Sequence, residues 1–218
     1  MRSSDTAGTP LVVVPVGSLE QHGPHLPLDT DTRIATAVAD AADAVLAPAI
    51  AYGASGEHEG FGGTVSLGTE AMTAVLIEYG RSVCMWAQRV VFVNGHGGNV
   101  DALVSAVRQL RYEGRDIAWF ACAVPGGDSH AGRAETSVLL HLAPECVAHS
   151  LLEAGNVDAV DTLMARMREG GVGAVSPNGV LGDPRGANAD EGLRMLDSMS
   201  RALLVSISAW TPDDRGRL

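Results

Sequence analysis

The chain has 218 residues, and its 46% hydrophobic content suffices for one core, so we expect residues 1–218 to form a single domain. A formal net charge of -11 at pH 7 argues against nucleic acid or an anionic membrane as a partner, because both require a positive surface. Residues 1–10 are polar, are expected to be flexible, and contain no signal-peptide core. No apolar run reaches the roughly 18 residues of a membrane span, so a cytoplasmic protein is expected.

Apolar strand-like runs alternate with helical patterns, which is typical of a βαβ sheet with helices on its faces. The predicted strands are, in chain order, 11–14, 45–50, 90–93 and 117–124. The predicted helices are 31–46, 69–88, 99–113, a short one that contains residues 138–140, and 190–210, with weaker helical character at 150–170. The pattern therefore predicts an α/β fold with a mostly parallel sheet.

Two Gly-rich segments separate these elements. The loop at 52–64 is long for a simple connection, so we expect it to cover or line a site. The Gly/Pro-rich stretch at 170–188 is expected to be a long surface segment.

Two polar clusters directly follow predicted strands. Glu20, His22 and Asp31 follow the first strand, and His96 follows the third one within the segment 94–99. The ligand crevice of an open α/β sheet lies at the carboxyl ends of its strands, so both clusters are expected at one place. Imidazole nitrogens and carboxylate oxygens bind borderline-soft divalent ions, and a carboxylate can bridge two of them. The pattern therefore predicts a metal site.

These residues also have structural interpretations. Asp29 or Asp31 would serve as an ordinary helix N-cap in a polar turn, and His96 as a hydrogen-bonded residue at a strand end. Glycines beside His96 permit tight turns and the close approach of a ligand or ion. Asn94 and Asn99 are interpreted as residues that fix the backbone, with Asn99 as the cap of the next helix. The presence of both clusters favours the metal site.

A third cluster follows the fourth predicted strand. His130 is a candidate hydrogen bonder or proton donor at the metal site. Glu135 is a candidate ligand of a second ion, but it also fits an acidic residue in the first turn of a helix. In the Gly-rich loop, Glu57 and His58 are candidate substrate contacts, and a solvated loop histidine explains His58 equally well.

Other types of site find less support in the sequence. A Ser-His-Asp nucleophile would use Ser18, Ser55 or Ser129, but none of them lies in a G-x-S-x-G turn. The glycines around His96 lack both the GK[ST] ending and the G-x-G-x-x-G spacing of phosphate-binding loops. The metal site is therefore the preferred interpretation.

The segments 18–23 with Asp31, 94–99 and 130–137 together resemble the motifs of the creatininase family of amidohydrolases. The resemblance covers residues 11–205, and three ordered motifs at matching separations make it specific. It implies a three-layer α/β/α sandwich with a mostly parallel sheet. It also implies two divalent metal ions per subunit and a homo-oligomer, either a hexamer or a similar ring.

The resemblance further implies a role for each motif residue. Glu20, Asp31 and His96 would hold one ion, and His22 with the shared Asp31 would hold the other. His130 matches the proton-handling histidine of the family. The ions would activate a water for attack on an amide carbonyl, and His130 would donate a proton to the departing amine.

The chain departs from the family pattern at four positions. Creatininase has a glutamate where this chain has Gly98, which leaves the second ion one ligand short and makes Glu135 the candidate replacement. Ser129 stands where creatininase has a glutamate, Gly62 where a proline is usual, and Arg133 where many relatives carry a glutamate. The resemblance therefore does not define the substrate contacts near Gly62 and Arg133.

Within the family, the segments 22–39, 47–71 and 130–145 are most similar to peptidases that act on a modified precursor peptide. This similarity implies release of a C-terminal Val-Tyr-derived dipeptide. One alternative is a creatininase-like amidohydrolase that acts on a small cyclic amide or a formylamino-pyrimidine. Another is a catalytically silent oligomer that binds the modified peptide. Nitrogen and oxygen ligands admit zinc, iron(II) and manganese alike.

Overall fold

The computed structural model describes residues 9–218, so the expected flexibility of residues 1–8 lies outside the described residues. Within the described part, four parallel strands form one sheet in the order β2-β1-β3-β4. The strands are β1 (Leu11–Val16), β2 (Val45–Leu46), β3 (Arg89–Asn94) and β4 (Ile117–Ala121). The helices are α1 (Thr30–Asp40), α2 (Thr69–Val83), α3 (Val100–Tyr112), α4 (Arg133–Leu142), α5 (Val160–Gly170) and α6 (Ala189–Ala209).

Helices cover both faces of the sheet, because β1 and β3 are continuous runs of buried, mostly β-branched residues that must be shielded on each side. One core cluster joins the sheet to α2 and α3 through Met72, Leu76, Phe92 and Leu103. The other joins it to α1, α4 and α6 through Val13, Val38, Leu139 and Leu203. The fold is therefore a three-layer α/β/α sandwich, as predicted.

The strand order creates a crevice at one end of the sheet. From β1 the chain passes to β2 on one side, and it later continues to β3 on the other side. Ligands of open α/β sheets bind outside the carboxyl ends of the strands at such a switch point. Val16, at the end of β1, is the register partner of Asn94 at the end of β3. The two polar clusters therefore begin side by side.

Four predicted elements extended too far. Helix α1 ends at Asp40 rather than 46, and α2 ends at Val83 rather than 88. Strand β2 has two residues rather than six, and β4 ends at Ala121 rather than 124. Apolar residues beyond these ends pack against the core from irregular backbone, among them Ile50, Ala87 and Val124. A hydrophobic pattern therefore continues where the regular element has already stopped.

The prediction of a surface segment at 170–188 was wrong. Val172, Val175 and Leu181 are buried in a small cluster with a residue of α5. Leu181 donates its N–H to the carbonyl of His130 and accepts the N–H of His130, at 2.9 and 3.3 Å. Glycine and proline indicate irregular backbone correctly, but irregular backbone is buried where its polar groups find partners.

Helix α6 closes one face of the sandwich close to its predicted position. The side chain of Asn188 caps it by accepting the N–H of Glu191 at 2.9 Å. Gly192 lies so close to α4 that an added Cβ would be 1.9 Å from the carbonyl oxygen of Ser137. Among residues 9–218, no helix combines the length and the apolar character needed to cross a membrane.

We expect Gly192→Ala to destabilise the protein by about 1–3 kcal/mol or more, because the new methyl group forces α6 away from the backbone of α4. By helix propensity alone, Gly192→Ala would stabilise the protein by about 1 kcal/mol. A loss of stability would therefore show that the close packing outweighs the helix propensity. Thermal or urea unfolding measures the difference. Ser198→Ala, at an exposed position of the same helix, is the control and should change stability little. A Gly192→Ala variant as stable as the control would contradict the packing argument.

Candidate metal centre

The crevice gathers polar side chains from six segments of the chain. The loop after β1 brings Glu20 and His22, the first turn of α1 brings Asp31, and the loop after β3 brings His96. Each of these four side chains is at most 5% exposed. His58 from the Gly-rich loop, His130 from the loop after β4 and Glu135 from the first turn of α4 complete the cluster. The structure therefore brings together all of the metal-ligand candidates of the sequence.

One group of ligand atoms belongs to Glu20, Asp31 and His96, which lie within 4.8 Å of one another. Nδ1 of His96 is 3.2 Å from Oε1 of Glu20 and 3.3 Å from Oδ2 of Asp31. Both carboxylate oxygens of Glu20 are buried without an aligned hydrogen-bond donor among the described residues. A buried carboxylate without a donor is strongly disfavoured unless a cation compensates it. These residues therefore fit a divalent ion.

A second group consists of His22, His130 and Glu135, again within 4.8 Å. Nε2 of His22 lies 3.2 Å from Oδ1 of Asp31 and 3.8 Å from Oε2 of Glu135. Asp31 thus directs one oxygen towards each group. Its Oδ2 accepts the hydroxyl hydrogen of Ser18 at 2.6 Å, which holds the carboxylate in this orientation. Ser18 is therefore occupied in holding a carboxylate.

The hydrogen-bond partners of three imidazoles assign their tautomers. Nδ1 of His22 faces the backbone oxygen of Glu20 at 3.2 Å, and Nε2 of His96 faces that of Ala54 at 3.2 Å. Nε2 of His130 faces the backbone oxygen of Gln21 at 2.8 Å. A carbonyl only accepts, so each of these nitrogens carries a proton in the neutral ring. The other nitrogen of each ring then presents a lone pair to the carboxylates, an arrangement usual for metal-binding histidines.

Without ions, protonated histidines compensate part of the negative charge of the buried carboxylates. Burial alone would lower the pKa of His22, but the charge and hydrogen bond of Asp31 outweigh it and raise the pKa to about 10. Burial favours the neutral form of Asp31 as well, yet His22 and His96 hold its pKa well below the usual range. An ion that binds Nε2 of His22 must displace a proton, so metal binding is coupled to proton release.

The remaining groups are pushed towards their neutral forms. Burial, reinforced by the charges of His22 and His58, lowers the pKa of His130 well below its ordinary value. Burial also raises the pKa of Glu135 to about 7, although the charge of His22 opposes this shift. The ring of His130 lies with its centroid 4.3 Å from that of His22 and 4.4 Å from that of His58. Such closely packed imidazoles cannot all be protonated.

Close backbone contacts set the position of His96. A Cβ at Gly95 would lie 2.4 Å from the carbonyl oxygen of Asp31, so only glycine lets the loop after β3 approach α1. Gly95 is therefore required for a close contact between two backbone segments and not for the approach of a ligand. The side chain of Asn94 holds the loop through the oxygen of His96 at 2.7 Å.

Asn99 fixes the backbone as predicted but does not cap α3. Its side chain makes no capping hydrogen bond, and a short 3₁₀ turn at 97–99 precedes the helix. Its amide instead joins three segments, because it accepts the N–H of Ala54 at 2.8 Å and donates to Gly17 at 2.9 Å and to Asn94 at 3.1 Å. The cap prediction was wrong because tertiary partners compete with local ones for the same amide.

The region around Gly98 has no room for the glutamate of creatininase. A Cβ at this position would lie 2.4 Å from the backbone oxygen of Ala54 and 2.5 Å from Oε1 of Glu57. Glu57 lies 3.5 Å from Nε2 of His96 and is 30% exposed. Glu135 lies beside His22 instead, 3.8 Å from its Nε2, and its Oε2 accepts the N–H of Ala131 at 2.6 Å.

The structure excludes a solvated loop position for His58. The side chain is buried, its Nε2 is 3.3 Å from Oε1 of Glu20, and its Nδ1 is 2.9 Å from the side-chain nitrogen of Gln21. Sequence reasoning missed Gln21, which contacts both His58 and His130. Only its place between two candidate ligands in the EQH segment pointed to it.

A cavity of about 770 Å³ opens onto the cluster. Asp31, His58, His96, His130 and Glu135 line it. Apolar side chains line it as well, among them Val160, Met164 and Met167 of α5 together with Val172 and Leu181. The segment predicted to lie on the surface thus forms part of the cavity wall. A mainly apolar cleft with a few convergent polar groups is typical of small-molecule and peptide sites.

Comparison with known proteins finds amidohydrolases and peptidases. The family model described as creatinine amidohydrolase matches residues 2–207. Mycofactocin precursor peptide peptidases from Mycolicibacterium smegmatis and Mycobacterium tuberculosis are 58% and 55% identical, over 96% of this chain and 89% of each relative. The creatinine amidohydrolase of Pseudomonas putida is 32% identical over 65% of this chain and 67% of that protein.

Solved structures share the fold. A mutant creatininase with 25% identity superposes with a TM-score of 0.72 over 94% of this chain and 93% of that chain. A creatininase of Zn-Zn type has 24% identity and a TM-score of 0.72 over 94% and 92% of the two chains. A manganese creatininase has 24% identity and a TM-score of 0.71 over 94% and 93%. From its sequence match and its three-layer fold together, the chain belongs to the creatininase family of amidohydrolases.

Proposed function

We propose that this chain is a metal-dependent peptidase that cleaves the modified mycofactocin precursor peptide near its C-terminus and releases a Val-Tyr-derived dipeptide. The observation that carries the proposal is the buried carboxylate of Glu20, which faces three imidazoles and has no aligned donor among the described residues. The substrate is inferred from relatives with that name at 55–58% identity. A homo-oligomer, such as a hexamer, stays a prediction.

Two divalent ions per subunit would occupy the cluster. Glu20, Asp31 and His96 would hold one ion, and His22, Asp31 and Glu135 would hold the other. When bound, such ions lower the pKa of a shared water towards neutrality and polarise the amide carbonyl. The donor set of nitrogens and oxygens suits zinc, iron(II) or manganese. Glu135 thus supplies the carboxylate that Gly98 cannot.

His130 is proposed to move the proton. The backbone oxygen of Gln21 holds its Nε2–H, so its Nδ1 faces the cluster, 3.7 Å from Oε1 of Glu20. The lowered pKa keeps the ring neutral, so Nδ1 can accept a proton from water. The resulting imidazolium then protonates the departing amine, which is otherwise too basic to leave.

The cavity suits a peptide end. The cluster lines it together with apolar side chains of α5, namely Val160, Met164 and Met167. Glu57 and His58 line the same cavity. Both are proposed as substrate contacts.

We expect Asp31→Ala and His96→Ala each to reduce cleavage more than about 100-fold, because loss even of groups that support a ligand costs 10–100-fold. Mass spectrometry of the C-terminal fragment released from the processed peptide measures turnover. Circular dichroism checks that both variants are folded, and His149→Ala at an exposed position is the control. Undiminished turnover in either variant would eliminate the two-ion site. A wild-type protein that binds the peptide but releases no fragment would instead indicate the catalytically silent oligomer.

Glu135→Gln is expected to retain about one ion per chain where the wild type holds about two, because the amide replaces a charged ligand. Elemental analysis of dialysed protein measures the stoichiometry. Glu145→Gln removes an exposed carboxylate ten residues along the chain and should keep both ions. An unchanged count in Glu135→Gln would remove Glu135 from the ligand set.

A further inference from the structure

His58 is the one imidazole of the cluster whose hydrogen bonds differ in kind from those of the other three. His22, His96 and His130 each face a backbone carbonyl with one nitrogen. The Nδ1 of His58 instead faces the side-chain nitrogen of Gln21 at 2.9 Å. By distance alone, Glu20, His58 and His130 form a third group of metal-ligand atoms. The partner on Nδ1 decides whether His58 can serve as a ligand.

Two backbone groups fix the orientation of the Gln21 amide. Its Oε1 accepts the N–H of Gly23 at 2.8 Å, and its Nε2 donates to the carbonyl oxygen of Gly179 at 3.0 Å. If the amide oxygen and nitrogen were exchanged, the amide NH₂ would face the N–H of Gly23, and the amide oxygen would face the carbonyl oxygen of Gly179. The nitrogen therefore faces the two histidines.

The second hydrogen of that nitrogen has one acceptor. His130 Nε2 lies 3.1 Å away, but it already donates to the backbone oxygen of Gln21 at 2.8 Å and has no lone pair to offer. His58 Nδ1 at 2.9 Å is the remaining acceptor. It therefore carries no proton, and the neutral ring of His58 has its proton on Nε2.

This Nε2–H points into the site. Nε2 lies 3.3 Å from Oε1 of Glu20, yet the alignment is too poor for a hydrogen bond, since that oxygen has no aligned donor among the described residues. His58 also lines the cavity. Its Nε2–H thus lies beside Glu20, at the surface of the cavity.

From this geometry we propose that His58 is not a metal ligand but a catalytic hydrogen-bond donor, whose Nε2–H binds the carbonyl oxygen of the scissile amide. The inference rests on the proposed peptidase function. A donor aimed at this oxygen stabilises the negative charge that develops there when water attacks. No proton leaves His58, because a neutral imidazole is far too weak an acid. The ring is neutral in this arrangement, because Nδ1 accepts the hydrogen bond from Gln21 and carries no proton.

Ion content and turnover together test the proposal. His58→Ala should keep the ion content of the wild type and an unchanged absorption spectrum after Co²⁺ substitution, while kcat falls about 100-fold and KM changes little. His58→Gln carries an N–H near the same place and should recover at least about tenfold in kcat. Loss of an ion in His58→Ala, or an unchanged kcat, would overturn the proposal. Glu135→Gln is the matched control that should lose an ion.

The tautomer itself is measurable without turnover. Ring ¹⁵N NMR of metal-free and zinc-loaded protein should show the His58 proton on Nε2 in both, with the signal assigned by its absence in His58→Ala. A proton on Nδ1, or a zinc-bound Nε2, would refute the proposal even if the protein cleaved no peptide. Conversely, the predicted tautomer without peptide cleavage by the wild type would sink the peptidase function and, with it, the substrate role of His58.

Gln21→Glu provides a second variant that preserves the shape of the side chain. A carboxylate next to Nδ1 accepts rather than donates, so the proton of His58 should move to Nδ1 and kcat should fall as in His58→Ala. A Gln21→Glu variant with an Nε2–H on His58 and wild-type kcat would show that Gln21 does not determine the tautomer.

Discussion

A carboxylate that is fully buried and lacks an aligned donor is the constraint on which the rest of this site depends. Glu20 has no exposed surface, and charge of this kind is tolerated only beside compensating cations or protons. Without an ion, the nearby carboxylates raise the pKa values of His22 and His96, so these rings hold positive charge that compensates the carboxylates. Divalent ions bound here would displace the protons.

Close backbone contacts at glycines, rather than packing of large side chains, position the carboxylates of the cluster. A Cβ at Gly95 would collide with the backbone of α1, and one at Gly17 would lie 2.5 Å from Cα of Thr32. These contacts bring the ends of β1 and β3 against the first turn of α1. Asn99 then ties the Gly-rich loop to the same place. The candidate ligands are therefore positioned by close contacts between the strand ends and α1.

The fold was largely predictable because strands buried on both faces leave continuous apolar runs in the sequence. The ligand candidates were predictable because they directly follow those runs. The ends of the helices and strands were less predictable, because apolar residues such as Ile50 and Val124 pack against the core although they lie in irregular backbone. The segment 170–188 was misjudged because its glycines and prolines describe backbone shape, whereas its burial depends on pairing with the loop that carries His130.

The sequence by itself determined the α/β class and which carboxylates and imidazoles meet at the carboxyl ends of the strands. The strand order β2-β1-β3-β4, and with it the switch point, came from the structure. Only the tertiary structure decided which nitrogen of His58, His96 and His130 is free, because that depends on partners far along the chain. Gln21 contacts His58, His130 and Gly179, which lie 37, 109 and 158 residues away. Local patterns record spacing within one segment, but a proton on an imidazole is assigned by whichever group faces it in space.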